Sequence, residues 1–138
     1  MNKNSTKNLL LLLLCLYFIP CQAGFVEFSA TVEHSAGKEF RLYKQINELT
    51  AEEVKYTGIV KDNNELHIAI EIDYPQIVRF MLDTQVIEIF ARPIDKKVAF
   101  RYNSLDLPGT LLFIGDRQAD NNFLKAYHQN FLNYKGEK

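Results

Sequence analysis

Three histidines are the residues best suited to hold a metal ion: His34, His67 and His128. A catalytic zinc site uses three protein ligands, keeps one position open, and places its ligands at characteristic spacings along the chain. No two of these histidines stand at such a spacing. His67 falls on the polar side of a predicted strand and His34 at a strand end, so we expect surface histidines and no metal site.

Pairs of carboxylates form the second candidate site. Glu27 and Glu33 share one face of a predicted strand, and Glu71 and Asp73 share one face of another. Glycosidases use two carboxylates that flank a cleft. Alternation alone also places acidic residues on the solvent face of a strand, where they oppose edge-to-edge aggregation. We therefore expect no catalysis here, since an enzyme would need two carboxylates converging in a cleft with a raised pKa.

Motifs for a serine nucleophile or a bound phosphate are lacking in the sequence. Ser29, Ser35 and Ser104 stand in no Gly-x-Ser-x-Gly context, and the six glycines are scattered singly. Four tyrosines remain as candidates for a surface that binds sugars or peptides, although such tyrosines more often fill sheet faces and edges. They are Tyr43, Tyr56, Tyr74 and Tyr102. The sequence therefore predicts no catalytic residue and no cofactor.

The composition is that of one ordinary globular domain. The chain has 138 residues, of which 47% are hydrophobic, with 16 Lys and Arg against 17 Asp and Glu. A chain of this length is too short for two typical domains. Nucleic-acid-binding domains carry a clustered excess of basic residues, and no basic stripe is visible here, so we expect no nucleic-acid partner.

Residues 1–23 have the layout of a secretory signal peptide. Lys3 and Lys7 lie in a polar lead, and an unbroken apolar run follows at 9–19. The run has 11 residues, whereas a membrane-spanning helix needs roughly 20. The sequence therefore predicts export to the periplasm or cell envelope, with the membrane contacted only through this leader or through a lipid.

The predicted cleavage site follows Ala23. Cys21 and Ala23 supply the small residues that signal peptidase requires, while lipidation of Cys21 is the less favoured alternative because Phe18 and Ile19 fit the lipoprotein pattern poorly. Cleavage there would leave 115 residues with a net charge of −3 and no cysteine, because Cys15 also belongs to the leader. Disulfide and Cys-x-x-Cys chemistry would then be impossible on this chain.

Residues 24–115 show a period-two pattern that predicts an antiparallel β-sandwich-like domain of about eight short strands, making the protein mainly β. The turn composition at 61–64 predicts a hairpin between the strands that flank it. The stretch at 35–38 likewise predicts a turn and a return strand, and a turn at 107–109 precedes the last strand. The predicted strands cover residues 26–32, 40–46, 54–60, 65–73, 77–82, 86–91, 97–102 and 110–114.

Residues 116–138 are predicted to form a C-terminal helix and tail. Apolar residues three to four positions apart predict one aromatic helix face that covers the β-domain or meets a partner. Asp116 or Asp120 is the candidate helix cap. The face comprises Phe123, Leu124, Tyr127, Phe131 and Tyr134.

Four short motifs occur in a fixed order: DYPQIVRF at 73–80, IEIFARP at 87–93, FIG at 113–115, and NNFL at 121–124 followed by Tyr127. Together they resemble the N-terminal β-domain, of unknown function, that precedes the thioredoxin module of TlpA/ResA-like periplasmic thiol-disulfide oxidoreductases. The likeness spans roughly residues 25–134. It implies a shared accessory domain and export route, and a helix that leads into a thioredoxin-like module.

The redox residues of that family have no counterpart here, because the sequence after residue 23 contains no Cys-x-x-Cys. The leading hypothesis is therefore a non-catalytic exported β-domain, either free-standing or part of a longer oxidoreductase. It would dock or position a partner, either a thioredoxin-like module or another envelope protein, through the aromatic helix. The alternatives are a module that binds a small ligand or glycan and, more remotely, an enzyme using the strand-face carboxylates.

Overall fold

The structure, a computed structural model, describes residues 23–136, with side chains described for 23–130. Most of the predicted signal peptide, including Cys15 and Cys21, therefore lies outside the described residues. The predicted mainly β fold with a C-terminal helix is confirmed. The elements are β1 (Gly24–Glu33), β2 (Glu39–Gln45), β3 (Glu53–Ile59), β4 (Glu65–Ile72), β5 (Gln76–Leu82), β6 (Gln85–Ala91), β7 (Lys97–Asn103), α1 (Leu107–Thr110), β8 (Leu112–Gly115) and α2 (Gln118–Gly136).

The strands form two four-stranded sheets. The first sheet has the order β4-β1-β7-β8 and the second has the order β3-β2-β5-β6. The pairing of β1 with β7 is parallel and places Glu27 opposite Lys97. Every other pairing within the described part of the chain is antiparallel. Strands that are neighbours in sequence are therefore often in different sheets.

The core lies between the two sheets and follows from the alternation of each strand. Alternate residues of β1 from Val26 to Val32 are buried, while the residues between them face outward. Aromatic rings join the two layers: the centroids of Phe80 on β5 and Phe100 on β7 are 5.0 Å apart in an edge-to-face arrangement. Such pairs stabilise a core beyond the area that they bury.

The predicted hairpin at 61–64 is wrong, although the turn itself is present. Asn64 adopts a left-handed φ of 64° and its N–H donates to the Lys61 carbonyl at 2.9 Å. The turn carries the chain from β3 in the second sheet to β4 in the first, so β3 pairs with β2 and β4 pairs with β1. Alternation determines which side chains are buried, but a hairpin and a crossing between sheets bury the same side chains.

The predicted return strand after 35–38 is corrected in the same way, because β1 and β2 also lie in different sheets. The two crossings are joined by one side chain. The Asn64 Oδ1 accepts hydrogen bonds from the backbone N–H groups of Ser35 and Ala36, both at 3.1 Å. One amide oxygen therefore satisfies two backbone donors at the point where the chain changes layers.

The last predicted strand, at 110–114, begins later than expected. Residues Leu107–Thr110 form the one-turn helix α1, whose Asp106 cap accepts a hydrogen bond from the Gly109 N–H at 3.2 Å. Strand β8 then starts at Leu112. Proline at the start of a helix lacks only an N–H that the first turn leaves unpaired, which explains why the predicted turn continues as a helical turn.

Candidate functional site

Helix α2 is held against the body by a polar residue, Asn121, which is only 1% exposed. Its Oδ1 accepts from the Phe90 N–H at 2.6 Å, and its Nδ2 donates to the Phe90 carbonyl at 3.2 Å. Phe90 lies on β6, an edge strand of the second sheet. The amide therefore supplies the two hydrogen bonds that a neighbouring strand would otherwise make.

Three more polar residues of α2 follow Asn121 along the same side of the helix. The Lys125 Nζ donates to the Leu111 carbonyl at 2.5 Å, and the Gln129 Nε2 donates to the Pro108 carbonyl at 3.4 Å. The His128 Nε2 lies 2.5 Å from a carboxylate oxygen of Glu88 on β6. The face of α2 toward the sandwich is thus mainly polar.

The aromatic face that the sequence predicts points outward. Phe123 is 74% exposed and Tyr127 is 58% exposed, while Leu124 is partly buried. Residues four positions apart are neighbours on a helix surface, so the two rings lie on one side of α2. The side chains of Phe131 and Tyr134, predicted on the same face, lie outside the described residues. The covered and the exposed sides of α2 are therefore the reverse of an ordinary amphipathic helix.

Neither predicted cap of α2 is free to act as one. The Asp116 Oδ2 accepts hydrogen bonds from the N–H groups of Lys96 and Lys97, at 2.8 and 3.1 Å. The bonds from Lys97 and then Lys96 hold the pKa of the Asp116 carboxyl below its usual range. Asp120 lies in the first turn, where its carboxylate pairs with Arg117 at 3.2 Å. Asp116 thus fastens the approach to α2 onto the loop before β7.

The three histidines are well separated in the fold. His34 is exposed at the end of β1, and His128 lies on α2 beside Glu88. His67 lies on the outer face of β4, with its Nδ1 3.4 Å from a carboxylate oxygen of Glu27. Within residues 23–130, no group of three or more metal-binding side chains comes together.

The paired carboxylates do not form a cleft. Glu27 lies between His67 and Lys97, whose Nζ is 3.8 Å away. Glu71 is exposed, while Asp73 lies 3.5 Å from the Nζ of Lys44. Each of the two predicted pairs therefore has a cationic neighbour. Glu27 and Glu33 lie six positions apart along β1, and Asp73 follows the last residue of β4. The geometry offers no acid and base on either side of a substrate.

Other carboxyl and serine side chains make hydrogen bonds or ion pairs within the fold. A hydrogen bond and the charge of Arg41 lower the pKa of Glu39. The Ser35 hydroxyl is buried and donates to the Val32 carbonyl, while the Ser104 hydroxyl donates to the Glu33 carbonyl at 2.8 Å. These two hydroxyls thus donate to backbone oxygens and not to a general base that could activate them as nucleophiles.

One buried cation, Lys44, was not predicted from the sequence. Lys44 is 5% exposed, and its Nζ donates to the main-chain carbonyl of Glu71, which joins β2 in the second sheet to β4 in the first. The burial of Lys44 was predictable from the alternation, because Lys44 continues the inward positions of Phe40 and Leu42 along β2. A lysine at an inward strand position indicates a buried cation with a specific acceptor.

Two of the four candidate tyrosines line one pocket. Tyr43 and Tyr74 meet on the outer side of the second sheet around a volume of about 470 Å³. The Tyr74 hydroxyl donates to the Gln45 Oε1 at 3.4 Å, and the guanidinium of Arg79 lies 5.8 Å from the centre of the Tyr43 ring. Burial, followed by the charges of Glu48 and Asp73, raises the pKa of Tyr74.

The other two candidate tyrosines belong to the core. Tyr56 packs against the apolar cluster, and Tyr102 is buried within it. Burial raises the pKa of the Tyr102 hydroxyl far above its usual range. The aromatic surface that the sequence suggested is therefore reduced to one pair of rings, Tyr43 and Tyr74.

A second pocket, which we call the β6 groove, runs beside the edge of β6. Its volume is about 360 Å³, and it lies between β6, α1, β8 and the polar side of α2. Val86, Ile87, Leu107 and Phe113 make its walls mainly apolar. Lys125 and His128 stand at its margin. No sequence pattern predicted this groove, because it depends on the position of α2.

Among the described residues, no helix combines the length and the apolar character needed to cross a membrane. Comparison with known protein families, curated proteins and solved structures finds no match to this chain. The resemblance to the accessory domain of thiol-disulfide oxidoreductases therefore stays a prediction.

Proposed function

We propose that this chain is a non-catalytic exported β-domain that docks a partner protein through the outward face of α2. The observation that carries the proposal is the exposure of Phe123 and Tyr127 on a helix whose opposite side is fixed by Asn121. Burying a large apolar side chain contributes about 1.5–3 kcal/mol. Burial of these two adjacent exposed rings against a partner would therefore contribute substantially to binding.

The polar anchors of α2 support this reading of its orientation. Asn121 and Lys125 contact the β-domain through hydrogen bonds, and the His128 ring lies against the Glu88 carboxylate, so rotation of the helix to bury its rings would break all three contacts. Aromatic residues are enriched at the centres of protein interfaces because they bury large areas with few rotatable bonds. A thioredoxin-like module or another envelope protein is the partner that we propose.

Site-specific photo-crosslinking in intact cells tests the docking proposal. We expect a photoreactive phenylalanine analogue at Phe123 to give one discrete adduct of higher mass, because the ring would be buried against the partner. The matched control is the same analogue at Lys55, which is exposed on β3 at the opposite edge of the second sheet. Absence of an adduct at Phe123, or equal adducts at both positions, would contradict docking through α2.

The intact mass of the protein recovered from the cell envelope tests the export part of the proposal. Cleavage after Ala23 without a lipid gives a chain of about 13 kDa, whereas retention of the leader leaves 16.0 kDa. A mass well above both values would show that this sequence continues into a further module.

The pocket of Tyr43 and Tyr74 favours a second candidate function, the binding of a small ligand or glycan. Its walls combine two aromatic rings with amide and carboxylate groups, including Gln45 and Glu48. Aromatic faces and convergent polar groups are the usual components of such sites. A glycan would place a sugar face against a ring and its hydroxyls against the polar walls.

Tyrosine fluorescence gives a direct test of this second function, since the chain contains no tryptophan. We expect cellobiose or chitobiose to change the emission of the wild-type protein with saturation in the millimolar range. The Tyr74→Ala variant should lose the response, whereas Tyr127→Ala, which alters a distant exposed tyrosine, should keep it. Identical titrations of the two variants would contradict a glycan site in this pocket.

A further inference from the structure

Strand β6 has a free edge, and the pattern of its backbone groups can be derived from the pairing. The backbone N–H and carbonyl of Phe90 bond to Asn121 and therefore point away from β5. Backbone groups alternate in direction along a strand. The N–H and carbonyl groups of Val86 and Glu88 consequently point to the same free edge, opposite the side that pairs with β5.

The turn between β5 and β6 gives the same result independently. Leu82 pairs with Gln85 across two intervening residues, and Asp83 has a left-handed φ of 52°. In a two-residue hairpin the closing pair exchanges both backbone hydrogen bonds. Gln85 therefore points toward β5, and the next residue, Val86, points toward the free edge.

Along the free edge of β6, Asn121 bonds only to the backbone N–H and carbonyl of Phe90. In the part of the chain with described side chains, no group bonds to the outward N–H or carbonyl groups of Val86 and Glu88. Two donors and two acceptors thus remain in the spacing of a strand. An added strand is the partner that matches this arrangement, because it presents its own donors and acceptors at the same interval.

The β6 groove lies directly beside these four groups. Val86 and Glu88 line it together with the apolar side chains of Leu107, Leu111 and Phe113. A strand added to β6 would direct alternate side chains to one side of the sheet. The volume of about 360 Å³ can hold two or three such side chains.

The opposite edge of the second sheet lacks this combination. Strand β3 carries Glu53 and Lys55 at its free edge, and charged residues there discourage the addition of another strand.

The β6 groove also has a cationic side chain at its margin, Lys125. The Lys125 Nζ donates to the Leu111 carbonyl, and no carboxylate pairs with it among the described side chains.

We propose that the β6 groove binds an extended peptide segment of a partner, added as a strand to Val86 and Glu88. The segment carries alternating apolar side chains and a carboxylate near its end, which pairs with Lys125. Backbone bonds supply the attachment, and the apolar walls select the side chains. This site is separate from the outward face of α2 and does not rest on the docking proposed for Phe123 and Tyr127.

A labelled peptide tests the inference with the intact chain. The probe is a fluorescein-labelled hexapeptide of alternating threonine and leucine with a free terminal carboxylate, followed by fluorescence anisotropy. We expect saturable binding that weakens about tenfold when alternate amides of the peptide are methylated, since that modification removes two or more backbone donors. Undetectable binding at millimolar protein, or equal binding of the methylated peptide, would overturn the proposal.

Two variants of the protein locate the binding. Val86→Pro removes an outward N–H, which an edge strand tolerates, and replaces one apolar side chain of the groove by another, so it should weaken peptide binding about tenfold. Thr57→Pro removes an outward N–H from β3 and is the matched control with unchanged binding. Lys125→Met should weaken binding of the peptide that has a free terminal carboxylate to the level of the same peptide made with a C-terminal amide. Equal affinities of Val86→Pro and Thr57→Pro would overturn the placement at β6, and a failure of either to fold leaves the methylated peptide as the deciding measurement.

Discussion

Replacement of Phe100 by alanine is expected to lower the free energy of unfolding by about 3–5 kcal/mol. The Phe100 ring contacts Phe80, Tyr102 and Phe113, with centroid distances of 5.0, 6.3 and 6.1 Å. It thus joins β7 to β8 in its own sheet and to β5 in the other. Truncation removes these contacts and leaves a cavity between two sheets that cannot collapse without displacing their backbones.

The matched control for Phe100→Ala is Phe123→Ala, which truncates the same side chain at a position that is 74% exposed. We expect the control to change the free energy of unfolding by no more than about 0.5 kcal/mol. Urea denaturation followed by circular dichroism measures both values. Similar losses in the two variants would contradict the assignment of Phe100 to the core and of Phe123 to the surface.

Replacement of Asn121 by alanine is expected to release α2 and to cost about 2–4 kcal/mol. The loss exceeds that of two ordinary hydrogen bonds because the partly buried N–H and carbonyl of Phe90 are left without partners. Hydrogen exchange should show faster exchange of the α2 amides than in the wild-type protein, with the two sheets still protected. This pattern would identify the loss as local detachment.

Asn122→Ala is the matched control for Asn121→Ala, since it changes the same residue type at the next position of the helix. Asn122 is only partly buried and lines a shallow surface pocket with Arg117 and Asp120. The exchange of the α2 amides should therefore stay close to wild type. Alanine has a higher helix propensity than asparagine, so neither substitution weakens the helix itself. Equal acceleration in both variants would therefore contradict the assignment of the α2 anchor to the bonds between Asn121 and Phe90.

The strands were predictable because each buries one face. The alternation along β1 and β4 corresponds to the observed burial of Val26, Phe28, Leu66 and Ile70. The pairing was not predictable, since the turn before β4 has the same composition in a hairpin and in a crossing between sheets. The difference depends on Asn64, whose side chain binds the backbone at Ser35 and Ala36, 29 and 28 residues away.

The candidate sites were predictable only in part. The aromatic face of the C-terminal helix is visible in the spacing of Phe123 and Tyr127, but its orientation is not. That orientation follows from Asn121, because a buried amide can satisfy two backbone groups at a strand edge and an apolar side chain cannot. The β6 groove depends on the same contact between Asn121 and Phe90, so it could not be predicted from the local sequence pattern.

The parallel pairing of β1 with β7 constrains the order in which the protein can fold. Glu27 and Lys97 are opposite one another although they are 70 residues apart in sequence. Contacts of such long range require the closure of a large loop before they stabilise the chain, which slows folding. During synthesis, β1 has one of its two neighbours only after β7 has emerged. The first sheet is therefore completed late, whereas all four strands of the second sheet have been synthesised before β7 emerges.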